Sequence, residues 1–204
     1  MNFNQLNEVA ETYKIGKGGK DGWLVLEPGD NKVRIVSEYE ILAKHWSANK
    51  AVICIGEKNH CILCETKEGE KPNKPVVKFL LWVIDRRDGK LKIAELGWTV
   101  VKAIGDLQQD SDYKFSVLPE YDINIKKTVK GNGSKPSDTE YTIIPARGNT
   151  PLTPEEVAAI KDLTPISEVI QSLKDKVLKD YEAMGLGSEA EPASEDAPPL
   201  PEEE

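Results

Sequence analysis

The chain has 204 residues with a formal net charge of −8, and 39% of them are hydrophobic and 30% charged. This length is typical of one domain of ordinary size with a short appendage. No apolar run approaches the roughly 18 residues of a membrane span, and the first residues lack the pattern of a secretory signal. We therefore expect a cytoplasmic protein without a membrane partner.

Charge is distributed unevenly along the sequence. Residues 186–204 contain seven acids and no base, which leaves 28 acids against 27 bases in the rest of the chain. The segment 71–102 has eight bases and three acids, and it contains Phe79, Trp82 and Trp98. A basic, aromatic-bearing centre with a separate acidic end is typical of a protein that binds nucleic acid.

The first elements are weakly marked. Residues 1–21 end in a glycine-rich basic run and are predicted to be an arm. Residues 32–36 alternate apolar with basic side chains, among them Arg34, which predicts a strand with one wet face.

The segment 45–64 contains both histidines and all three cysteines of the chain. Cys61 and Cys64 have the spacing at which two thiolates of one turn reach a single ion, and Cys54 and His45 precede them. One imidazole and three thiolates complete a tetrahedral shell and leave no open position for a substrate. We therefore predict a loop stapled by one structural Zn²⁺, with these four residues as ligands.

Three other interpretations of the cysteines remain. A disulfide would leave one thiol over and needs an oxidising compartment. A redox CxxC needs a βαβ context, and the thiols could also be ordinary buried residues. His60 is an alternative fourth ligand, but it adjoins Cys61 and its side chain would tend to point away from that of Cys61.

The central part of the chain is predicted to be a β-hairpin followed by a helix. Residues 76–85 give the strongest β signal and are placed at the centre of the sheet. Asp88-Gly89 forms the tip of the hairpin, 91–96 is the returning strand, and 98–107 has a helical period.

A second strand pair and two helices follow. Residues 121–129 and 140–145 alternate as strands. Thr153 and Glu156 predict a capping box at the start of one helix, and Pro165 opens the next. The tail 186–204 is too polar to order itself.

The fold class predicted from this pattern is mainly β with α. We expect a five-stranded, partly open barrel of the oligonucleotide-binding (OB) kind. The domain would span 22–150 with the zinc loop 45–64 inserted early, followed by C-terminal helices in 151–185 and a disordered acidic tail in 186–204.

The order of these features resembles a known family. The order His45, Cys54, Cys61-x-x-Cys64, then VVKFLLWVIDRRDGKLKIAEL, then TEYTIIPARGNTPLT, is similar to the zinc-containing single-stranded DNA-binding proteins of tailed phages, of which the T-even helix-destabilising protein is the type. The resemblance implies an OB-fold, a structural zinc, and sequence-tolerant binding of single strands in replication, recombination and repair. It also implies an acidic C-terminus that recruits replication and recombination proteins.

Single-strand binding requires aromatic rings for the bases and cations for the phosphates. Lys78 and Trp82 share one face of strand 76–85, so we expect that face to meet DNA, with Trp82 as first stacking candidate and Trp46 as second. Tyr39, Tyr121 and Tyr141 are weaker candidates, whereas Trp23 and Trp98 are predicted to be core. The predicted phosphate contacts are all basic side chains of strands, turns or the zinc loop: Arg34, Lys44, Lys78, Arg86, Arg87, Lys90, Lys92, Lys126, Lys127 and Lys130.

Two residue-level alternatives remain open. An aromatic side chain in a barrel is more often core than platform, and a single lysine is more often a solvated surface charge. In the tail, the residues predicted to bind partner proteins are Leu200, Glu202, Glu203 and Glu204. The alternative is that the tail only increases solubility.

Competing functions are an enzyme, an adaptor and an RNA-binding protein. No HExxH, no Ser/His/Asp set and no phosphate-cradling glycine loop is present, so neither catalysis nor a small-molecule substrate is expected. A zinc-containing adaptor in a replication complex would share the metal and the tail. RNA binding stays open because stacking does not distinguish the sugar.

Overall fold

The computed structural model describes residues 22–47, 50–56, 61–64, 73–131, 138–146 and 150–183. The predicted arm 1–21 and acidic tail 186–204 lie outside these ranges. In the described part, seven strands form one antiparallel sheet. They are β1 (Gly29–Ile35), β2 (Glu40–Ser47), β3 (Lys50–Ile53), β4 (Val76–Asp85), β5 (Lys90–Leu96), β6 (Ile123–Val129) and β7 (Thr139–Pro145).

Strand β4 is the centre of the sheet, as predicted from its long apolar run. One of its edges pairs first with β2 and then with β1, and its other edge pairs with β5. Strand β3 extends the sheet beyond β2, and β6 and β7 extend it beyond β1. The turn between β4 and β5 has Gly89 at φ +69, so the predicted Asp88-Gly89 tip is confirmed.

The sheet is not closed. Within the described residues, β5 and β7 lie on opposite sides of the strand order and do not pair with each other. The prediction of a five-stranded barrel is therefore not confirmed, and two strands were missed. These are β2 and β3, which form a hairpin that overlaps the start of the predicted zinc loop 45–64.

The described part also contains three helices: α1 (Trp98–Gln108), between β5 and β6, and α2 (Pro154–Lys161) and α3 (Ile166–Ala183), after β7. The predicted capping box of α2 is present, because Thr153 Oγ1 accepts from the Glu156 amide and the Glu156 carboxylate accepts from the Thr153 amide. Among the helices of the described chain, none is both long and apolar enough to cross a membrane.

Two apolar cores lie on opposite faces of β4. On one face Leu81 and Val83 pack with β1, β6 and the α1 residues Val100 and Ile104. On the other face Leu80 and Trp82 pack with residues of α3. Strand β4 is consequently buried on both sides from its fourth residue onward.

The prediction that Trp82 faces solvent is wrong. Its side chain is 1% exposed, and its indole Nε1 donates to the Thr164 carbonyl oxygen at 2.9 Å. Lys78 and Trp82 do share a face, but α3 covers that face over Trp82 and leaves its Lys78 end partly open. Alternation along a strand assigns faces, and the element that covers a face comes from elsewhere in the sequence.

Candidate metal centre and nucleic-acid interface

The metal-binding candidates come from three neighbouring pieces of chain. His45 lies on β2 opposite Val52 of β3. Cys54 follows the end of β3, and its amide continues the ladder by donating to the Ala43 carbonyl at 2.9 Å. Cys61 and Cys64 occupy a turn in which the Cys64 amide donates to the Cys61 carbonyl at 2.8 Å.

These four side chains converge on one point. Their ligand atoms all lie within 4.8 Å of one another, close enough to hold a single metal ion. The Cys54 and Cys64 sulfurs are 3.4 Å apart, and His45 Nε2 lies 3.3 Å from Cys64 Sγ and 3.6 Å from Cys61 Sγ. In a tetrahedral zinc site, bond lengths of about 2.3 Å to sulfur and about 2.0 Å to nitrogen give edges of about 3.8 and 3.6 Å. The measured separations therefore fit such a shell with small adjustments.

The electrostatics of the thiols also favour a cation at this point. Burial and the neighbouring Cys54 and Cys61 thiols raise the pKa of Cys64 to about 12. Burial also acts to raise the pKa of Cys61, but backbone amides, that of Leu63 foremost, outweigh it and lower that pKa. Three crowded sulfurs repel as thiolates, and a divalent ion between them would reverse that repulsion.

Two buried polar atoms beside the ligands lack a partner among the described residues. They are His45 Nδ1 and the phenol oxygen of Tyr181, which reaches the centre from α3. Metal-bound histidines usually donate their other ring N–H to an acceptor, and none is found here within the described ranges. His60, the alternative ligand, lies outside them.

Six of the ten predicted phosphate-binding cations are ion-paired within the protein. Arg34 and Arg86 both bind Asp122, at 2.8 and 3.1 Å, and Arg86 also binds Glu156 at 2.7 Å. Arg34 is buried, so the expectation that it projects from a wet strand face is wrong. The reason is that Asp122, at the start of β6, compensates its charge in the interior.

The other paired cations lie nearer the surface. Arg87 and Lys92 each bind Asp85 at 2.7 Å, beneath the β4–β5 turn. Lys44 pairs with Glu95 and Lys130 with Glu140. Within the described residues no ion pair is formed by Lys78, Lys90, Lys126 or Lys127, although Lys127 Nζ donates to the Leu26 carbonyl.

An exposed aromatic row crosses one end of the sheet, and we define it as Tyr39, Phe79 and Trp98. Phe79 is buried between its neighbours, with ring centroids 5.3 Å from Tyr39 and 6.0 Å from Trp98. Tyr39 and Trp98 are 54% and 63% exposed. Ile41, opposite Phe79 in the β2–β4 register, is exposed beside them.

The prediction that Trp98 belongs to the core is wrong. It is the first residue of α1, and the side chains that this helix buries are Val100 and Ile104. Its position directly after the N-cap Gly97, at the first residue of the helix, was the available signal. Trp46 is 60% exposed, Tyr141 is also exposed, and Tyr121 is half-buried.

The tail residues predicted to bind partners, namely Leu200, Glu202, Glu203 and Glu204, lie outside the described residues.

Comparison with known proteins shows a partial similarity. A segment of 78 residues, 38% of this chain, is 35% identical to a protein of Escherichia phage T5 named "Probable ssDNA-binding protein". The match spans 28% of that protein's length. No model of a protein family matches the chain, and no solved structure matches it.

Proposed function

We propose that this protein binds single-stranded DNA without sequence specificity. The observation that carries the proposal is the similarity of a 78-residue segment to the probable single-stranded DNA-binding protein of phage T5. The uneven charge and the exposed aromatic side chains of the chain support the same function. No catalytic step is part of the proposal.

The aromatic row Tyr39–Phe79–Trp98 is the proposed base-stacking surface. Stacking on an aromatic ring contributes about 1–3 kcal/mol per base and accepts any base. Trp98 and Tyr39 offer exposed rings that are held in place through the buried Phe79. Trp46 is retained as a separate stacking candidate, whereas the buried Trp82 is not.

Phosphate contacts are proposed for the cations that the protein does not already neutralise. Of the ten predicted cations, these are Lys78, Lys90, Lys126 and Lys127. Arg87, Lys44, Lys92 and Lys130 would have to exchange a carboxylate for a phosphate, and Arg34 and Arg86 are committed to the interior.

The metal centre is proposed to hold one structural Zn²⁺. A Cys₃His donor set is typical of zinc, and with four protein ligands it leaves no open coordination position. The ion would join the β2–β3 hairpin to the turn at Cys61 and Cys64, which otherwise meet in one small apolar cluster. Its role would be to hold that end of the sheet in shape.

The domain organisation is proposed to be that of an OB-fold opened on one side. Strands β1 and β2, separated by residues 36–39, would be the two halves of its bent first strand, since both pair with the same edge of β4. Helix α1 lies between the β4–β5 and β6–β7 hairpins, as it does in that fold. Residues 1–21, 151–185 and 186–204 would be the arm, the helical extension and the tail.

The acidic tail is proposed to compete with DNA and to recruit partners. Its seven acids form a polyanion that basic side chains of the DNA surface can attract. The proposed binding site for replication and recombination proteins consists of Leu200, Glu202, Glu203 and Glu204. Together these features support a role in DNA replication, recombination and repair.

The stacking surface is tested by Trp98→Ala. We expect the affinity for a fluorescein-labelled mixed-sequence single strand, measured by anisotropy, to fall about 5-fold to 150-fold, which corresponds to the loss of one stacked base. Tyr113→Ala removes an exposed tyrosine outside the row and should leave the affinity unchanged. If both variants bind as tightly as the wild type, the bases do not stack on the aromatic row. If none of the three proteins binds DNA, the adaptor function becomes the better proposal.

A further inference from the structure

Helix α3 rests on two different supports. Its first half contributes Ile166, Val169 and Ile170 to the core beneath β4. Its last turns contribute Val177, Leu178 and Tyr181 to a separate cluster, together with Cys54, Ile55 and Cys61. The helix thus runs from the sheet to the metal centre, and its C-terminal end packs chiefly on the metal-binding segment.

At this end of α3, the hydrogen bonding of the Tyr181 hydroxyl is incomplete. The Tyr181 side chain is 8% exposed, and its hydroxyl lies beside the Cys61 thiol without forming a hydrogen bond of normal geometry among the described residues. Its ionisable neighbours are the thiols of Cys61, Cys54 and Cys64, with Cys61 first. A buried donor without an acceptor destabilises the folded state, so a native structure usually supplies one.

A metal-bound thiolate is the acceptor that this position lacks. Binding of a divalent ion keeps cysteine deprotonated, and a thiolate accepts hydrogen bonds more strongly than a thiol does. The backbone amides around Cys61 already direct hydrogen bonds at its sulfur, that of Leu63 foremost. A phenol O–H directed at the same sulfur would complete the shell of donors around it.

We propose that Tyr181 is a positioning residue of the metal centre, whose hydroxyl donates a hydrogen bond to the Cys61 thiolate of the loaded site. Through this bond the ion fixes the end of α3 as well as the β2–β3 hairpin. When the ion is removed, the turns carrying Val177, Leu178 and Tyr181 lose their support. The first half of α3 keeps its packing against the core beneath β4.

The test is Tyr181→Phe, which keeps the ring and removes the hydroxyl. Partners of metal ligands typically contribute 10-fold to 100-fold to metal affinity. We expect the affinity for Zn²⁺, measured by competition with a chromophoric chelator, to fall about 10-fold. With Co²⁺ as probe, the thiolate-to-metal charge-transfer band should shift. Tyr141→Phe makes the same chemical change on β7 and should alter neither quantity.

Hydrogen exchange supplies a second readout that does not depend on affinity. In the Zn²⁺-loaded full-length variant, residues 177–183 should exchange faster than in the wild type, while 166–173 should be unchanged. An affinity within twofold of the wild type together with an unshifted band would overturn the inference. Failure of the wild type to bind either ion would also overturn it, together with the proposed zinc site. DNA binding is not measured in this test, so the proposed function stands or falls separately.

Discussion

Two buried carboxylates determine what most of the central basic side chains do. Asp122 binds Arg34 and Arg86, and Asp85 binds Arg87 and Lys92. Pairing inside a protein compensates the cost of taking a charge out of water. The primary role of these four cations is therefore to stabilise the fold. The proposed contacts with DNA phosphates must depend mainly on other lysines.

Asp122→Asn tests the structural use of this charge cluster. The substitution leaves the buried Arg34 without its carboxylate and Arg86 with Glu156 alone. Removing one member of a buried pair typically costs about 3–5 kcal/mol. We expect a loss of about 3 kcal/mol in the free energy of unfolding, measured with urea. Asp106→Asn breaks an exposed pair with Lys102 and should cost under about 1 kcal/mol. Equal losses for the two variants would contradict the structural role of Asp122.

Asp85 makes a pH-dependent contribution to the stability of the folded protein. Burial raises the pKa of Asp85, but hydrogen bonds from Arg87 and Lys92 outweigh it and lower the pKa from 3.8 to about 2. A lowered folded-state pKa stabilises the protein above the unfolded value, here by about 2 kcal/mol, and this stabilisation is lost as pH falls through the folded value.

Asp85→Asn removes that contribution at neutral pH. The gap in unfolding free energy between wild type and variant should be open at pH 7 and close between about pH 4 and pH 2. Urea unfolding at a series of pH values measures it. A gap that is the same at pH 7 and pH 2 would show that the carboxylate charge of Asp85 does not stabilise the fold.

At the residue scale the four metal-binding candidates were predictable and the aromatic surface was not. Ligand residues are identified by chemistry and spacing, which the sequence contains directly. Whether Trp82 or Trp98 meets solvent depends on which distant element covers it. Helix α3 covers Trp82, while Trp98 projects from the start of α1 beside Phe79.

At the scale of elements, local signals located most of the strands and helices. The apolar run of β4, the Asp88-Gly89 turn and the capping box of α2 each act within a few residues. The hairpin of β2 and β3 was missed because its sequence mixes polar, charged and ligand residues. Its pairing depends on β4 and on the neighbouring metal-binding segment.

Metal removal tests the coupling of that hairpin to the centre. A chelator, or Cys61→Ser, should lower the melting temperature, because binding free energy of a structural metal is folding free energy. Zn²⁺ should restore the chelated wild type, and the chelator should not lower the melting temperature of Cys61→Ser further. Unchanged melting of the wild type without metal would remove the zinc assignment.

At the scale of the whole molecule, the topology was predicted in part. The central β4–β5 hairpin, the helix after it and the β6–β7 pair follow in the expected order. Closure of the sheet was not predictable, because it depends on whether the last strand reaches β5, which no local pattern determines. The observed sheet stays open within the described residues.

The segregation of charge makes a prediction for the full-length protein. Seven of its acids lie in residues 186–204, and the rest of the chain is nearly neutral. Truncation after Gly187 should increase affinity for single-stranded DNA at low salt, with the gain vanishing at high salt because the competition is electrostatic. A tail of equal length with its acids replaced by amides should behave like the truncation. If both variants keep the wild-type affinity at low salt, the tail does not compete with DNA.

The central claim is tested most directly by titrating the intrinsic tryptophan fluorescence of the full-length protein. A mixed-sequence single-stranded DNA, the matching duplex and the matching single-stranded RNA are compared at several salt concentrations. We expect strong quenching by the DNA single strand, a weak response to duplex, and affinity that falls with salt. If each of the four proposed lysines neutralises one phosphate, each adds about 0.7 to the slope of log affinity against log salt, and together they contribute about 3. Preference for RNA would redirect the function to RNA, and no binding at low salt, even with the tail removed, would contradict single-strand binding altogether.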